Sequence, residues 1–213
     1  GGSFNTLGGI ARHCIGRLDT YGTLDTGFNP NANGAVWTLA LQTDGKIVLG
    51  GEFTALGVVT RNYIGRVDAS GALDDSFNPG GGGPVHGLAL QGDGKLVGAG
   101  IFISLGGVVR NNIGRLSADS AALQDLSTDD DGTSVTWLRS GTGPEVWRVT
   151  FELSTDEDNY TPLGEGERIT GGWQLDGLDL PCGQNFFIRA RGYYSTGYSN
   201  GSGSIVESVR NVY

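Results

Sequence analysis

Residues 35–83 read AVWTLALQTDGKIVLGGEFTALGVVTRNYIGRVDASGALDDSFNPGGGG. Residues 84–132 write the same text again as PVHGLALQGDGKLVGAGIFISLGGVVRNNIGRLSADSAALQDLSTDDDG. The register is 49 residues, so Leu39 falls on Leu88, Asp44-Gly45-Lys46 on Asp93-Gly94-Lys95, Phe53 on Phe102 and Ile64-Gly65-Arg66 on Ile113-Gly114-Arg115. It also runs backwards: Phe4, Leu7, Arg12, Ile15-Gly16-Arg17, Leu24 and Phe28 precede Phe53, Leu56, Arg61, Ile64-Gly65-Arg66, Leu73 and Phe77 by one period. A fixed period of this size means stacked supersecondary units that share a core.

Each unit reads as strands. Over 36–41 apolar residues alternate, with Trp37, Leu39 and Leu41 on one face and Val36 on the other. Asp44-Gly45 then predicts a two-residue hairpin with positive φ at both central positions. Residues 47–53 return as a near-continuous apolar run, a third strand is expected at 63–68, and a short fourth at 73–77 before Asn78-Pro79-Gly80. No window holds a 3.6-residue apolar period, so helix is expected to be scarce. Three or four strands in about 49 residues suit a propeller blade, whose repeats run to about 40–50 residues.

The phrases LALQTDGKIVLGGEFTALG, RNYIGRVDASGALDDSFNPG and LALQGDGKLVGAG resemble the delta-60 repeat of secreted and surface proteins of bacteria. That resemblance spans 1–126 as a partial copy (1–34) and two more (35–83 and 84–126). It implies a propeller-like fold with no catalytic residues in the repeat itself. The third copy departs from the pattern after Ser117, where no Phe-Asn-Pro follows.

The grammar changes at 127–132, read as an acidic linker around Asp129-Asp130-Asp131. Residues 133–213 show short strands at 134–138, 145–153, 168–175, 186–191 and 204–209 between turn signals, which predicts an antiparallel β-sandwich. Trp147, Val149, Phe151 and Leu153 share one face of the second of these. The segment resembles a fibronectin-type or immunoglobulin-like module. Trp137, Trp147 and Trp173 are expected to be core or half-buried, with a carbohydrate-stacking role for one of them as the alternative. The fold class is therefore all-β: about two and a half propeller-like repeats followed by a sandwich.

Formal net charge is −9, with 8 basic and 10 acidic residues in 1–126 against 6 and 13 in 127–213. That argues against nucleic acid or an anionic membrane surface as partner. The sequence has no transmembrane run. Catalysis needs a nucleophile with a base, or paired carboxylates in a cleft. The two histidines, His13 and His86, stand at positions the repeat lets vary and lack metal-ligand spacing, so no enzyme activity is expected. Arginines recur once per repeat at 12, 61 and 110 and at 17, 66 and 115, which predicts a ladder between units with Asp19 and Asp68 as partners. No cofactor is expected. Calcium at Asp129, Asp130 and Asp131 or at Asp156 and Asp158 is the minority alternative to solvated loops. Asn159 and Asn200 fit the glycosylation acceptor pattern.

Cys14 and Cys182 are the only cysteines and are expected to form a disulfide, within one chain or between two. Gly1, Gly2, Ser3 and Phe4 align with 50–53, so the first copy starts midway through its second strand and leaves an edge to pair. The segment carrying Ile205 and Val209 is a candidate donated strand; that it closes its own sandwich is the plainer reading. Two and a half units do not close a ring of the usual four to eight blades. Two expectations follow. The first is a non-catalytic extracellular structural protein, a fibre or adhesive subunit joined head-to-tail with other copies of itself. The second is part of a longer propeller that binds glycan or protein, with upstream repeats completing it and the sandwich as spacer.

Overall fold

The structure, a computed structural model, describes residues 1–195 and 203–213; Asn200 and the turn at 199–201 lie outside the described residues. All its regular elements are β-strands. Repeat one contributes the small hairpin β1 (Thr6–Leu7) and β2 (Ile10–Ala11). Repeat two contributes β3 (Val36–Leu41), β4 (Ile47–Gly51), β5 (Ala55–Leu56), β6 (Val59–Thr60) and β7 (Ile64–Val67). The antiparallel sheet β3-β4-β7 is the body of the unit, and β5-β6 is a second small hairpin. Repeat three follows the same plan with β8 (Val85–Leu90), β9 (Leu96–Gly100), β10 (Ser104–Leu105), β11 (Val108–Val109) and β12 (Ile113–Leu116).

Three details differ from the sequence reading. The β3–β4 loop has three residues: Gln42 N donates to Lys46 O at 2.9 Å, Gly45 N donates to Gln42 O at 2.9 Å, and only Gly45 has a positive φ, 81°. The extra residue places glycine alone in the left-handed region, and the Asp44 carboxylate is free to accept from Lys46 N. In β3 a register shift between Val36 and Thr38 bulges Trp37 and sets Val36 on the ladder face of Leu39 and Leu41; Val36 is buried towards repeat one and Ala40 towards repeat three, while Leu39 and Leu41 are exposed. The fourth strand at 73–77 is reduced to a single bridge between Val67 and Leu73, because the Asp74 carboxylate accepts from Ser76 N and turns the chain.

The repeats do not have private cores. One cluster joins Cys14, Ile15 and Phe28 of repeat one to Val36, Leu49, Phe53, Leu56 and Val67 of repeat two. The next joins Val48 and Ile64 of repeat two to Val85, Leu88, Leu96, Phe102 and Leu105 of repeat three. These are the same contact one period apart. Full burial of each such side chain contributes about 1.5–3 kcal/mol, so a unit's stability depends on its neighbour. The glycine of Ile-Gly-Arg makes the packing close: a Cβ on Gly65 would lie 2.7 Å from Leu56 Cδ1, and one on Gly16 would lie 2.6 Å from Leu7 Cδ2.

The remaining strands are β13 (Ala122–Thr128), β14 (Ser134–Gly141), β15 (Arg148–Ser154), β16 (Thr161–Glu165), β17 (Glu167–Ile169), β18 (Gly172–Asp176), β19 (Phe186–Ser195) and β20 (Gly203–Val212). They form two four-stranded antiparallel sheets, β13-β14-β18-β17 and β16-β15-β19-β20. Between them lies a core that includes Trp137, Val149, Phe151, Trp173 and Ile188. The sandwich begins earlier than its acidic segment suggests. β13 pairs with β14 along its whole length, so 127–132 is the end of a strand and a hairpin turn, not a linker. Trp137 and Trp173 are core, but Trp147 is 64% exposed because the chain before β15 reverses its facing and buries Val146 instead.

The residue before each Ile-Gly-Arg is left-handed: Cys14 (φ 62°), Tyr63 (φ 66°) and Asn112 (φ 66°). An L-residue other than Asn or Gly is strained there by about 1–2 kcal/mol. Asn112 is exposed, which makes it the clean position to test. Asn112→Ala is expected to lower stability by about 1 kcal/mol and Asn112→Gly to leave it unchanged or raise it, as read by urea unfolding.

Candidate functional site

The arginine ladder exists, with different partners from those expected. Arg17 donates to Asp25 Oδ2 (2.6 Å), lies over the Phe28 ring (4.6 Å) and reaches Ala69 O in repeat two (2.5 Å). Arg66 repeats this one period later: it donates to Asp74 Oδ2 (2.9 Å), lies over Phe77 (4.5 Å) and pairs with Asp119 of repeat three. Asp19 and Asp68 instead accept from backbone N–H groups in their own turns. Arg66 is 1% exposed, a buried cation made tolerable by two carboxylates. Arg115 has no such place. The positions of Asp74 and Phe77 recur as Leu123 and Leu126, which now belong to β13, and Arg115 is exposed.

The isoleucine of the motif changes in the same way. Ile15 and Ile64 are 1% and 0% exposed, each under the following repeat, whereas Ile113 is 62% exposed. Beside it Ile101, Ile103 and Val109 are exposed where repeat two carries Glu52, Thr54 and Thr60. At the other end Phe4 and Leu7 are half-buried and Leu18 is exposed, although their counterparts Phe53, Leu56 and Val67 are buried against Ile15. The trailing half of the repeated contact is thus uncovered within the chain, and Phe4, Leu7 and Leu18 are its leading half.

A second feature is the junction with the sandwich. The β3–β4 loop is bonded to residues 141–145: Thr43 N donates to Gly143 O (2.9 Å), Asp44 N to Gly141 O (3.1 Å), and Glu145 N to Leu41 O (3.0 Å). Tyr194 Oη donates to Leu90 O at 3.3 Å. The sandwich is docked on the repeats and is not a loose spacer. Along this seam lies a cleft of about 500 Å³ between Leu39, Leu41 and Ala89 on one side and Glu145, Trp147 and Arg168 on the other.

The other expected site residues are used locally. Asp129 accepts from Thr133 N (2.8 Å), Thr133 Oγ1 (2.6 Å) and Ser134 N (3.0 Å), and the Thr133 hydroxyl foremost holds its pKa down at about 2. Asp156 accepts from the side chain and backbone of Asn159 and from Ser154 Oγ, which hold its pKa well below the carboxylate range. Asp130, Asp131 and Asp158 point to solvent. Among the described residues no three His, Cys, Asp or Glu side chains are grouped to hold a metal.

Cys14 and Cys182 are both free within the chain, so the bridge expected within one chain does not form. Cys14 is buried in the core between repeats one and two, and Cys182 is exposed at the end of the sandwich with Sγ 3.7 Å from Leu180 O. Gly2 is not an open edge either: Gly2 N donates to Cys14 O, Gly2 O accepts from Val36 N at 3.1 Å, and Phe4 O accepts from Cys14 N. Gly1 packs against Val36, and Ser3 is exposed. Ile205 and Val209 lie in β20, paired with Tyr193 and Arg189 of β19, so that strand closes its own sandwich.

Residues 42–77 and 91–121 each match the family model described as a domain of unknown function (DUF5122), beta-propeller. The matched segments lie one period apart and stop where β13 starts. These repeats are propeller-like. No curated protein and no solved structure matches the chain.

Sequence reasoning overlooked Ile113 and Arg139. The first is visible only by comparing burial between blades. The second left a signal: Val135, Trp137 and Arg139 alternate on one face of a strand, and all three are buried.

Partial burial alone would raise the pKa of Asp74, but the Ser76 hydroxyl, Lys46 and Arg66 overturn this and hold it well below the usual range. The Arg66 hydrogen bond does the same for Asp119, and the Arg17 hydrogen bond for Asp25. Carboxylates depressed by folding add stability that is complete above their unfolded pKa, about 4, and is lost as pH falls through the folded value. The melting temperature is therefore expected to hold from pH 7 to about 4 and fall below it. Asp119→Asn should cost about 1 kcal/mol at pH 7, the pair being partly screened by solvent, and should flatten the acid fall. Calorimetry from pH 7 to 2 checks both; an equally steep fall in the variant contradicts the ladder.

Proposed function

We propose that the chain is a non-catalytic extracellular structural protein whose blades associate head-to-tail with other copies of itself. The observation that carries this reading is the trailing half of the repeated contact, uncovered within the chain at Ile113 with Ile101, Ile103 and Val109 beside it; Phe4, Leu7 and Leu18 are the matching leading half. Within the chain the same surfaces close on each other twice. The contact is a face and not a donated strand, since the backbone of Gly2 and all of β20 are already paired. A trailing face that meets a leading face is heterologous, so successive copies form a ring or a filament.

A second reading, a binding module, has the junction cleft and its exposed Trp147 in its favour. Clefts of about 300–1,000 Å³ at domain junctions are where small ligands sit.

Sedimentation velocity over a hundredfold range of concentration tests the assembly. The wild-type chain is expected to associate, whereas Ile113→Asp and Leu18→Asp, both at exposed positions, stay monomeric with unchanged melting. Mixed together, the two variants retain one good face each and should give dimers and nothing longer. A wild type that stays monomeric throughout overturns the reading.

A further inference from the structure

Beside the cleft, and sharing Glu145 and Arg168 with it, is a polar notch of about 110 Å³ that Thr43, Arg139 and Trp173 also line. Arg139 projects from β14 and is 6% exposed, with its Cζ 4.7 Å from the Trp137 ring centroid. Its Nε and Nη1 are buried and have no acceptor among the described residues. Burial lowers its pKa to about 10, against the opposing charge of Glu145, so it remains a cation at neutral pH. Glu145 is already paired with Arg168, and the Thr43 hydroxyl already donates to Gly143 O and Pro144 O (3.1 and 3.2 Å).

The local charge count is two guanidinium groups against one carboxylate, leaving one positive charge without a partner. A buried guanidinium short of acceptors is strongly unfavourable; its Nε and Nη1 are closed to solvent, which leaves Nη2 to meet an anion in a charge-assisted contact. One spare charge suits a monoanion better than a dianionic phosphate, which would face Glu145 in excess. The adjoining cleft has room for the body of such a ligand and presents Trp147, an exposed aromatic face of the kind that stacks on a sugar ring.

We propose that the notch binds the carboxylate of a sugar acid, with the sugar ring in the adjoining cleft against Trp147. The proposal rests on the binding-module reading and is independent of the assembly.

Isothermal titration of the full chain at low ionic strength with glucuronate, glucose, acetate and inorganic phosphate tests it. Glucuronate should bind tightest. Arg139→Met should weaken glucuronate at least tenfold, and Arg139→Lys, which keeps the charge, should weaken it less. Glu145→Gln, which removes the competing carboxylate, should tighten it. Trp147→Ala should weaken glucuronate and leave acetate unchanged; a loss of acetate as well would overturn the placing of the ring. Arg139→Met is expected to melt no lower than wild type, because an apolar chain replaces an unpartnered cation. If that variant fails to fold, Arg139→Lys and Glu145→Gln still decide the matter: equal glucuronate affinity in both would overturn the site. Glucose or phosphate binding as tightly as glucuronate would overturn the carboxylate assignment and leave the binding module standing. No binding of any of the four would overturn both.

Discussion

An isoleucine under the next blade is the contact on which the rest of this protein depends. Ile15 is covered by Phe53, Leu56 and Val67, and Ile64 by Phe102 and Leu105. The glycine that follows each isoleucine lets a leucine of the same blade come close, and the arginine after it reaches across to the next one. Three consecutive residues thus supply the apolar contact, the room for it and its polar lock. Since neither face can be buried by a blade alone, the units are stable as a stack and have no independent stability to speak of.

The end of the stack is made by substitution and not by truncation. Where a further period would place the aspartate and phenylalanine that hold the arginine, the chain has Leu123 and Leu126, and it forms the first strand of the sandwich. The sandwich then returns through Gly141–Glu145 to bond the loop of blade two. This return leaves Ile113 open and creates a seam in which one arginine, Arg139, is enclosed with no acceptor for Nε or Nη1 among the described residues. The open face and the seam both follow from where the repeat grammar stops.

Much of this was legible in the sequence. The period fixed the units, the absence of helical periodicity fixed the class, and alternation located most sandwich strands. What escaped had local physical causes. The bulge at Trp37 and the three-residue loop at Asp44-Gly45 each depend on one residue, and a single residue reverses the facing of a strand. β13 was hidden because Ala122–Thr128 straddles the end of the third copy and the acidic segment, while its hydrogen bonds go to β14. The acidic runs read as solvated loops, with calcium the minority alternative, and composition alone did not show that Asp129 and Asp156 accept from N–H groups of their own turns. Both cysteines lay in plausible settings for a bridge, but one is spent as a small core residue between two blades.

The central claim is that each blade is held by the one that covers it. Hydrogen exchange read by mass spectrometry at several protein concentrations tests it most directly, by comparing β7 with β12. The two strands share a sequence pattern and a place in their sheets, and differ in being covered. The account predicts strong protection of Ile64–Val67 at every concentration, and fast exchange of Ile113–Leu116 that slows as concentration rises. Equal protection of the two strands in dilute solution would contradict it.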